Sequence, residues 1–169
     1  MTAGREILFS EAEIAARVEA LARDLIALSV DVAAPVLAGG FVFAADLMRA
    51  LARHGRSPAT EFLWLRSYDG RGARGTEVIV GPSAKVRGKK VLIIDGVLDR
   101  GTTIAKARAL LREAGAASVV SAVAVDKLAE GAAAHADFAL FQGVSGFIVG
   151  YGMDEDGRDR GLPYIACAD

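Results

Sequence analysis

The spacing of apolar positions changes repeatedly along the chain between a helical and a strand-like period. Across residues 10–29, Ile14, Val18, Leu21, Leu25 and Leu28 recur at intervals of four and three, which puts them on one face of a helix. Ser10 and Glu13 have the spacing of a capping box at its start. Val32–Leu37 predicts a short strand, with Gly39 and Gly40 directly after it. Helical spacing returns over Phe41–His54 through Leu47 and Leu51, and Gly55 stops it. Glu61–Arg66 predicts a second strand, Ser67–Thr76 a polar glycine-rich loop, and Glu77–Val80 the far side of a hairpin. After a basic turn over Lys85–Lys90, Val91–Ile94 gives four consecutive β-favouring apolar residues, the pattern of a strand buried on both faces. Asp95–Thr103 then predicts a loop, Ile104–Ala114 a helix ending at Gly115, and Ser118–Val125 and Phe138–Phe141 further strands, with Ile148–Gly150 pairing at an edge. Strands alternating with helices predict an α/β fold: a mostly parallel, doubly wound sheet flanked by helices. No repeat, low-complexity tract or linker interrupts the 169 residues, so one domain over 1–169 is expected.

Composition narrows the function classes. Hydrophobic residues make up 53% of the chain and charged residues 24%, with a net charge of −1 and a pI near 6.1. No basic stripe with interleaved aromatics is present, so neither nucleic acid nor an anionic membrane is an expected partner. Cys167 is the only cysteine, which excludes an internal disulfide and a CxxC zinc site; its simplest reading is a small hydrophobe. Glu6, Glu11, Glu13 and Asp24 rule against a signal peptide at the N-terminus. The apolar stretch from Phe138 to Met153 is too short and too broken by glycines to span a bilayer. A soluble, cytoplasmic protein is expected. Trp64 is expected in the core, and His54 and His135 lack metal-ligand spacing and receive no role.

The segment VLIIDGVLDRGTTIAKA, residues 91–107, carries the chemistry. Ligands of open α/β sheets sit at the carboxyl ends of strands, and here Asp95 stands at such an end with Asp99 four residues on. Arg100, Gly101, Thr102 and Thr103 lead into a helix whose first N–H groups and dipole attract an anion. Gly101 allows close backbone approach, the threonines add hydroxyls, and the acids upstream suit sugar hydroxyls or a Mg²⁺ carried by a polyphosphate. No GxxxxGK[ST] is present, so this is not a Walker motif. On spacing alone the run also fits an ordinary strand–loop–helix junction with a threonine N-cap.

The same segment resembles the phosphoribosyl pyrophosphate (PRPP) signature of type I phosphoribosyltransferases: an apolar strand, two adjacent acids, two apolar residues, then D-T-G-x-T. Asp95 matches the first acid, Asp99 the third, and Gly101 and Thr103 the phosphate loop. PVLAGGFVFAADL at 35–47 is similar to the pyrophosphate loop of the hypoxanthine–guanine group, Ser67-Tyr68 to the start of its mobile catalytic loop, and VDK at 125–127 to its purine-contacting lysine segment. FIVGYGMD at 147–154 and RGLPYI at 160–165 are similar to its closing segments, so the resemblance runs in order from about residue 7 to residue 166.

The resemblance implies a fold with a small hood built from the terminal segments, and an enzyme of purine salvage. It would transfer the 5-phosphoribosyl group from PRPP to a 6-oxopurine (hypoxanthine, guanine or xanthine), giving a nucleoside 5′-monophosphate and pyrophosphate. Mg²⁺ is the implied cofactor, and a homodimer or homotetramer the implied assembly. Asp99 would handle the purine N7 proton, worth about 10²–10⁴ in rate, with Ser67 and Tyr68 on the loop that closes over the reaction. Asp95, Arg100, Gly101, Thr102, Thr103, Ala38, Gly39 and Arg160 would bind PRPP and its phosphates. Lys127 would donate to the purine 6-oxo group, Phe147 would stack on its face, and Ile148 would supply a backbone contact. Asp95 and Asp154 would serve the metal. Read without the resemblance, Asp99 is a capping acid, Lys127 a solvated lysine, Phe147 a core residue, and Asp154 and Arg160 members of a charged surface turn.

Three positions depart from the pattern. Gly96 stands where the second paired acid belongs, Arg100 replaces the usual threonine of the phosphate loop, and Ala38 replaces a lysine common in the group. Losing one charged hydrogen bond at Gly96 costs about 1.5–3 kcal/mol, and a guanidinium at Arg100 would partly offset it with a bidentate phosphate contact. Gly96 also feeds an alternative, a non-catalytic protein that binds PRPP or a purine nucleotide for regulation.

Overall fold

The computed structural model describes the backbone of residues 5–70 and 73–168, and the side chains in that span outside 67–74. The chain opens with strand β1 (Ile7–Phe9) and helix α1 (Glu11–Ile26). Ser10 caps α1 as its spacing predicts: its hydroxyl accepts from the Glu13 N–H at 3.3 Å, and the Glu13 carboxylate accepts from the Ser10 N–H at 2.8 Å. Ile14, Val18, Leu21 and Leu25 are the buried face. Ser10→Ala is expected to lower stability by about 0.5–2 kcal/mol, read as a fall in the urea midpoint at unchanged slope.

Strand β2 (Val32–Leu37), helix α2 (Phe41–Arg53), the two-residue strand β3 (Ala59–Thr60), strands β4 (Leu63–Gly70), β5 (Ala73–Val80) and β6 (Lys90–Leu98), helix α3 (Thr102–Glu113) and strands β7 (Ser118–Asp126) and β8 (Phe138–Gln142) follow. They build one sheet in the order β5-β4-β2-β6-β7-β8, with β3 paired to the start of β2. Every pairing is parallel except the β4–β5 hairpin. Pro35, which has no N–H to give, sits where β2 changes partner from β3 to β4. Period-two alternation divides the core. Leu92 and Ile94 of β6 pack with α1 and α2, while Val91 and Ile93 pack on the other side with α3. Short strands β9 (Ile148–Val149) and β10 (Ile165–Cys167) join β1 in a separate antiparallel sheet, β1-β10-β9, the hood made by the two ends of the chain. The Tyr151 hydroxyl donates to Asp46 of α2 at 2.9 Å and ties this hood to the main layer.

The structure corrects several expectations. Residues 67–70 and 73–76 are strand rather than irregular loop: β4 runs to Gly70 and β5 starts at Ala73, because backbone ladder bonds outweigh a glycine-rich composition. The loop expected over Asp95–Thr103 shrinks to residues 99–101, since Val97 and Leu98 still pair with Val125 and Asp126. Helix α3 begins at Thr102, with Gly101 rather than a threonine as N-cap. Ile148–Val149 does pair at an edge, that of the three-stranded hood sheet. Trp64 is 40% exposed rather than core, because it sits on the outer hairpin.

Candidate active site

The site exists because two neighbouring strands end at different heights. Strand β2 stops pairing with β6 at Pro35–Ile94 and turns toward β4, whereas β6 continues to Leu98 against β7. The freed side of β6 opens a cleft of about 1300 Å³, the crevice expected where a parallel sheet's connections diverge. Its walls hold Ala38, Gly39, Asp95, Asp99, Arg100, Gly101, Thr102, Thr103, Phe147, Ile148, Asp154 and Arg160, all singled out from the sequence. Lys127 joins them through Asp99, while the side chains of Ser67 and Tyr68 lie outside the described residues. A hollow of about 360 Å³ between α1, α2 and residues 161–163 contains none of them.

Asp95 sits inside β6 rather than at its end, 8% exposed, with one carboxylate oxygen accepting from the Gly96 N–H at 2.7 Å. Burial pushes its pKa up to about 7, against the smaller opposing pull of that N–H. Unfolded, the carboxyl titrates near 3.8, so between about pH 4 and 7 the folded chain holds a proton that the unfolded chain has released. Stability contributed by Asp95 is therefore complete below pH 4 and lost as pH rises through 7. Asp95→Asn should unfold at nearly the wild-type temperature at pH 4 and above it at pH 8; parallel melting curves at the two pH values check this.

The turn after β2 is held by glycines. A Cβ on Gly96 would lie 2.6 Å from the Gly39 carbonyl oxygen, and one on Gly152 would lie 2.3 Å from the same atom. One on Gly40 would lie 2.6 Å from the Ile94 carbonyl oxygen. The Leu37–Ala38 peptide in this turn is cis. Gly96, read in the sequence only as a missing acid, is thus the residue that lets the Gly39 carbonyl seat against β6.

At the top of β6, Lys127 donates to Asp99 at 3.3 Å and to the Gly146 carbonyl at 2.8 Å. Asp99 is more than half exposed and Lys127 mostly buried, so the pair faces the cleft from its carboxylate side. Gly101 takes φ +71°, which a side chain would strain, and its absent Cβ would lie 2.2 Å from the Ala134 carbonyl oxygen. No side chain caps α3 and no acid lies in its first turn, leaving the helix N-terminus open to an anion. Arg100 is exposed beside it, with no ion pair among the described residues, while its carbonyl accepts from the Ala133 N–H at 2.8 Å. Across the cleft Asp154 pairs with Arg160 at 2.6 Å and accepts from the Gly157 N–H at 2.7 Å. Arg160 also donates to the Gly152 carbonyl at 2.8 Å. Arg5 reaches over from the N-terminal segment to Glu155 and Asp159. Phe147 is 47% exposed, a cleft wall rather than core, with Ile148 buried behind it.

Sequence reasoning missed the segment 129–133, which closes one side of the cleft, and Asp126, whose buried carboxylate accepts from the Leu128 and Ala136 N–H groups and shapes that segment. The usable signal was the run of small residues from Gly131 to Ala134, which the close approach to Gly101 requires.

The assembled groups can hold a phosphate at α3, polar sugar atoms at Asp95, and a flat ring between Phe147 and the Asp99–Lys127 pair. Known proteins resemble the chain throughout. The family model described as "Phosphoribosyl transferase domain" matches residues 5–156. Hypoxanthine phosphoribosyltransferase of Escherichia coli K12 is 32% identical, over 95% of this chain and 93% of that protein. Hypoxanthine-guanine phosphoribosyltransferase of Bacillus subtilis 168 is 32% identical, over 95% of this chain and 91% of that one. The solved structure of the Trypanosoma cruzi hypoxanthine phosphoribosyltransferase in complex with the product IMP superposes with a TM-score of 0.84, at 27% identity, over 96% of this chain and 92% of that one.

Proposed function

The chain belongs to the phosphoribosyl transferase domain family, and from that premise we propose that it is a purine-salvage phosphoribosyltransferase acting on 6-oxopurines. It transfers the 5-phosphoribosyl group of PRPP to hypoxanthine or guanine, with acceptance of xanthine decided around the purine 2-position. The observation that carries this reading is the Asp99–Lys127 pair, 3.3 Å apart beside the open N-terminus of α3 and facing Phe147. Hypoxanthine and guanine both need a donor at their 6-oxo group and a group that handles the N7 proton. Lys127 has three N–H donors, of which Asp99 and the Gly146 carbonyl take two, leaving one for the oxo group. Asp99 takes the N7 proton as N9 bonds the anomeric carbon and the bond from that carbon to pyrophosphate breaks. The reacting anomeric carbon passes through an oxocarbenium-like state, so positioning and charge placement do most of the catalysis. Phosphate at α3 and the sugar at Asp95 fix the donor; Arg160 and the turn at Ala38 and Gly39 face the pyrophosphate.

Among the described residues no cluster of three acidic, histidine or cysteine side chains forms a protein-only metal cage. Asp95 and Asp154, two carboxylates in one cleft, fit Mg²⁺, which enters such sites on its phosphate ligand and takes one or two carboxylates, with Asp154 shared with Arg160. When bound it would neutralise the departing pyrophosphate. The chain works as one cytoplasmic domain and as a homodimer or homotetramer. The exposed Phe62, Trp64, Val78, Ile79 and Val80 on and beside the outer hairpin supply an apolar surface suited to a second copy. No observation favours the purely regulatory alternative.

The experiment is a spectrophotometric assay with PRPP and Mg²⁺ against hypoxanthine, guanine, xanthine and adenine. Turnover of a 6-oxopurine and none of adenine is the expected result; no turnover with any base would sink the reading.

A further inference from the structure

The two ends of the phosphoribosyl group meet unequal sites in this cleft. On the sugar side a single acid, Asp95, is available, with one of its oxygens already accepting from the Gly96 N–H. A second acid at 96 is barred by packing as well as absent from the sequence, because any Cβ there would stand 2.6 Å from the Gly39 carbonyl oxygen. On the phosphate side the chain carries more than a neutral loop: the uncapped α3 terminus is flanked by Arg100, exposed, without an ion pair among the described residues, and on a backbone pinned by Ala133. A guanidinium bonds phosphate through two parallel N–H groups, and such charged bonds are about twice as strong as neutral ones. Asp99, next to Arg100, is held by Lys127, and Glu130 on the opposing segment lines the cleft exposed to solvent.

We infer that this chain grips its phosphoribosyl ligands by the 5′-phosphate, through Arg100, far more than by the ribose diol, and so accepts nucleotides that lack a ribose hydroxyl. The inference rests on the proposed 6-oxopurine reaction for its choice of ligand. Its specificity class is therefore 6-oxopurine 5′-monophosphates, both ribo and deoxyribo.

The test is calorimetric titration of the full chain, with Mg²⁺, using inosine 5′-monophosphate, its 2′-deoxy and 3′-deoxy counterparts, and inosine. Arg100→Ala and Arg100→Lys are run beside the wild type. Each deoxynucleotide should bind within about threefold of the ribonucleotide, where a charged bond to the missing hydroxyl would cost roughly ten- to a hundredfold. Inosine should bind at least about a hundredfold more weakly, the loss of charge-assisted phosphate contacts. Arg100→Ala should weaken all three nucleotides by about tenfold, leave inosine unchanged and flatten the salt dependence, with Arg100→Lys between. A deoxynucleotide penalty of tenfold or more, or an Arg100→Ala protein that binds nucleotide like the wild type, overturns the inference. If nucleotides bind in the expected order but no base turns over, the reaction is wrong and the grip stands. If no nucleotide binds, both fall.

Discussion

Asp99→Asn should lower kcat by about 10²–10⁴, the usual worth of a positioned acid or base, while leaving the KM for PRPP within a few-fold. Asparagine matches aspartate in shape, and its carbonyl oxygen still accepts from Lys127, which lies 3.3 Å from the carboxylate. What the amide cannot do is take and return a proton. The side chain is more than half exposed, so the fold does not depend on it and the melting temperature should not move. Steady-state rates with hypoxanthine, together with melting curves, make the check. An asparagine protein that keeps more than a tenth of the wild-type kcat would place proton handling elsewhere. A protein that loses affinity for PRPP and purine alike would make Asp99 a binding group only.

Restoring the acid at position 96 should damage the protein rather than improve it. Gly96→Asp puts a Cβ 2.6 Å from a backbone oxygen that has no rotamer to escape into, since Gly152 crowds the same Gly39 carbonyl from the other side. Overpacking of this kind typically costs about 1–3 kcal/mol, and displacing the turn also moves Ala38 and Gly39 on the pyrophosphate side of the cleft. Gly96→Ala, which adds the Cβ without the charge, should lower the melting temperature and raise the KM for PRPP nearly as much. If Gly96→Asp instead lowers that KM at unchanged stability while Gly96→Ala does not, the turn yields easily and position 96 is merely a lost carboxylate.

Most of what positions the chemistry was legible in residue order. The capping box at Ser10, the two-faced burial of Val91–Ile94 and the acids and threonines that follow it before a helix each declare themselves through local physics. Contacts between distant segments were less legible. Asp95-Gly96 reads as a turn by composition, and only the ladder to Val125 and Asp126 carries β6 past it. The β4–β5 hairpin is legible at its base, but its extension over 67–70 and 73–76 hides behind glycines for the same reason. Gly96 is the sharpest case: one sequence registers the missing acid, whereas the steric use of that glycine depends on Gly39, more than fifty positions away. The segment over Gly131–Ala134 carries no chemistry of its own, and its small residues acquire meaning only beside Gly101.

The hood pairs Ile7 with Ala166 and Ala166 with Val149, so the wall bearing Phe147 and Ile148 is stitched from both ends of the chain. Residues 100–103, proposed to hold the phosphate, lie instead at the junction of β6 and α3 in the middle of the main sheet. Ile148, Tyr151, Met153 and Ile165 are nonetheless buried in the same apolar cluster as α1, α2 and the Leu92 face of β6. The hood is thus continuous with the main core, so the two walls of the cleft share one cooperative unit, and a change that loosens the hood also loosens the sheet beneath it.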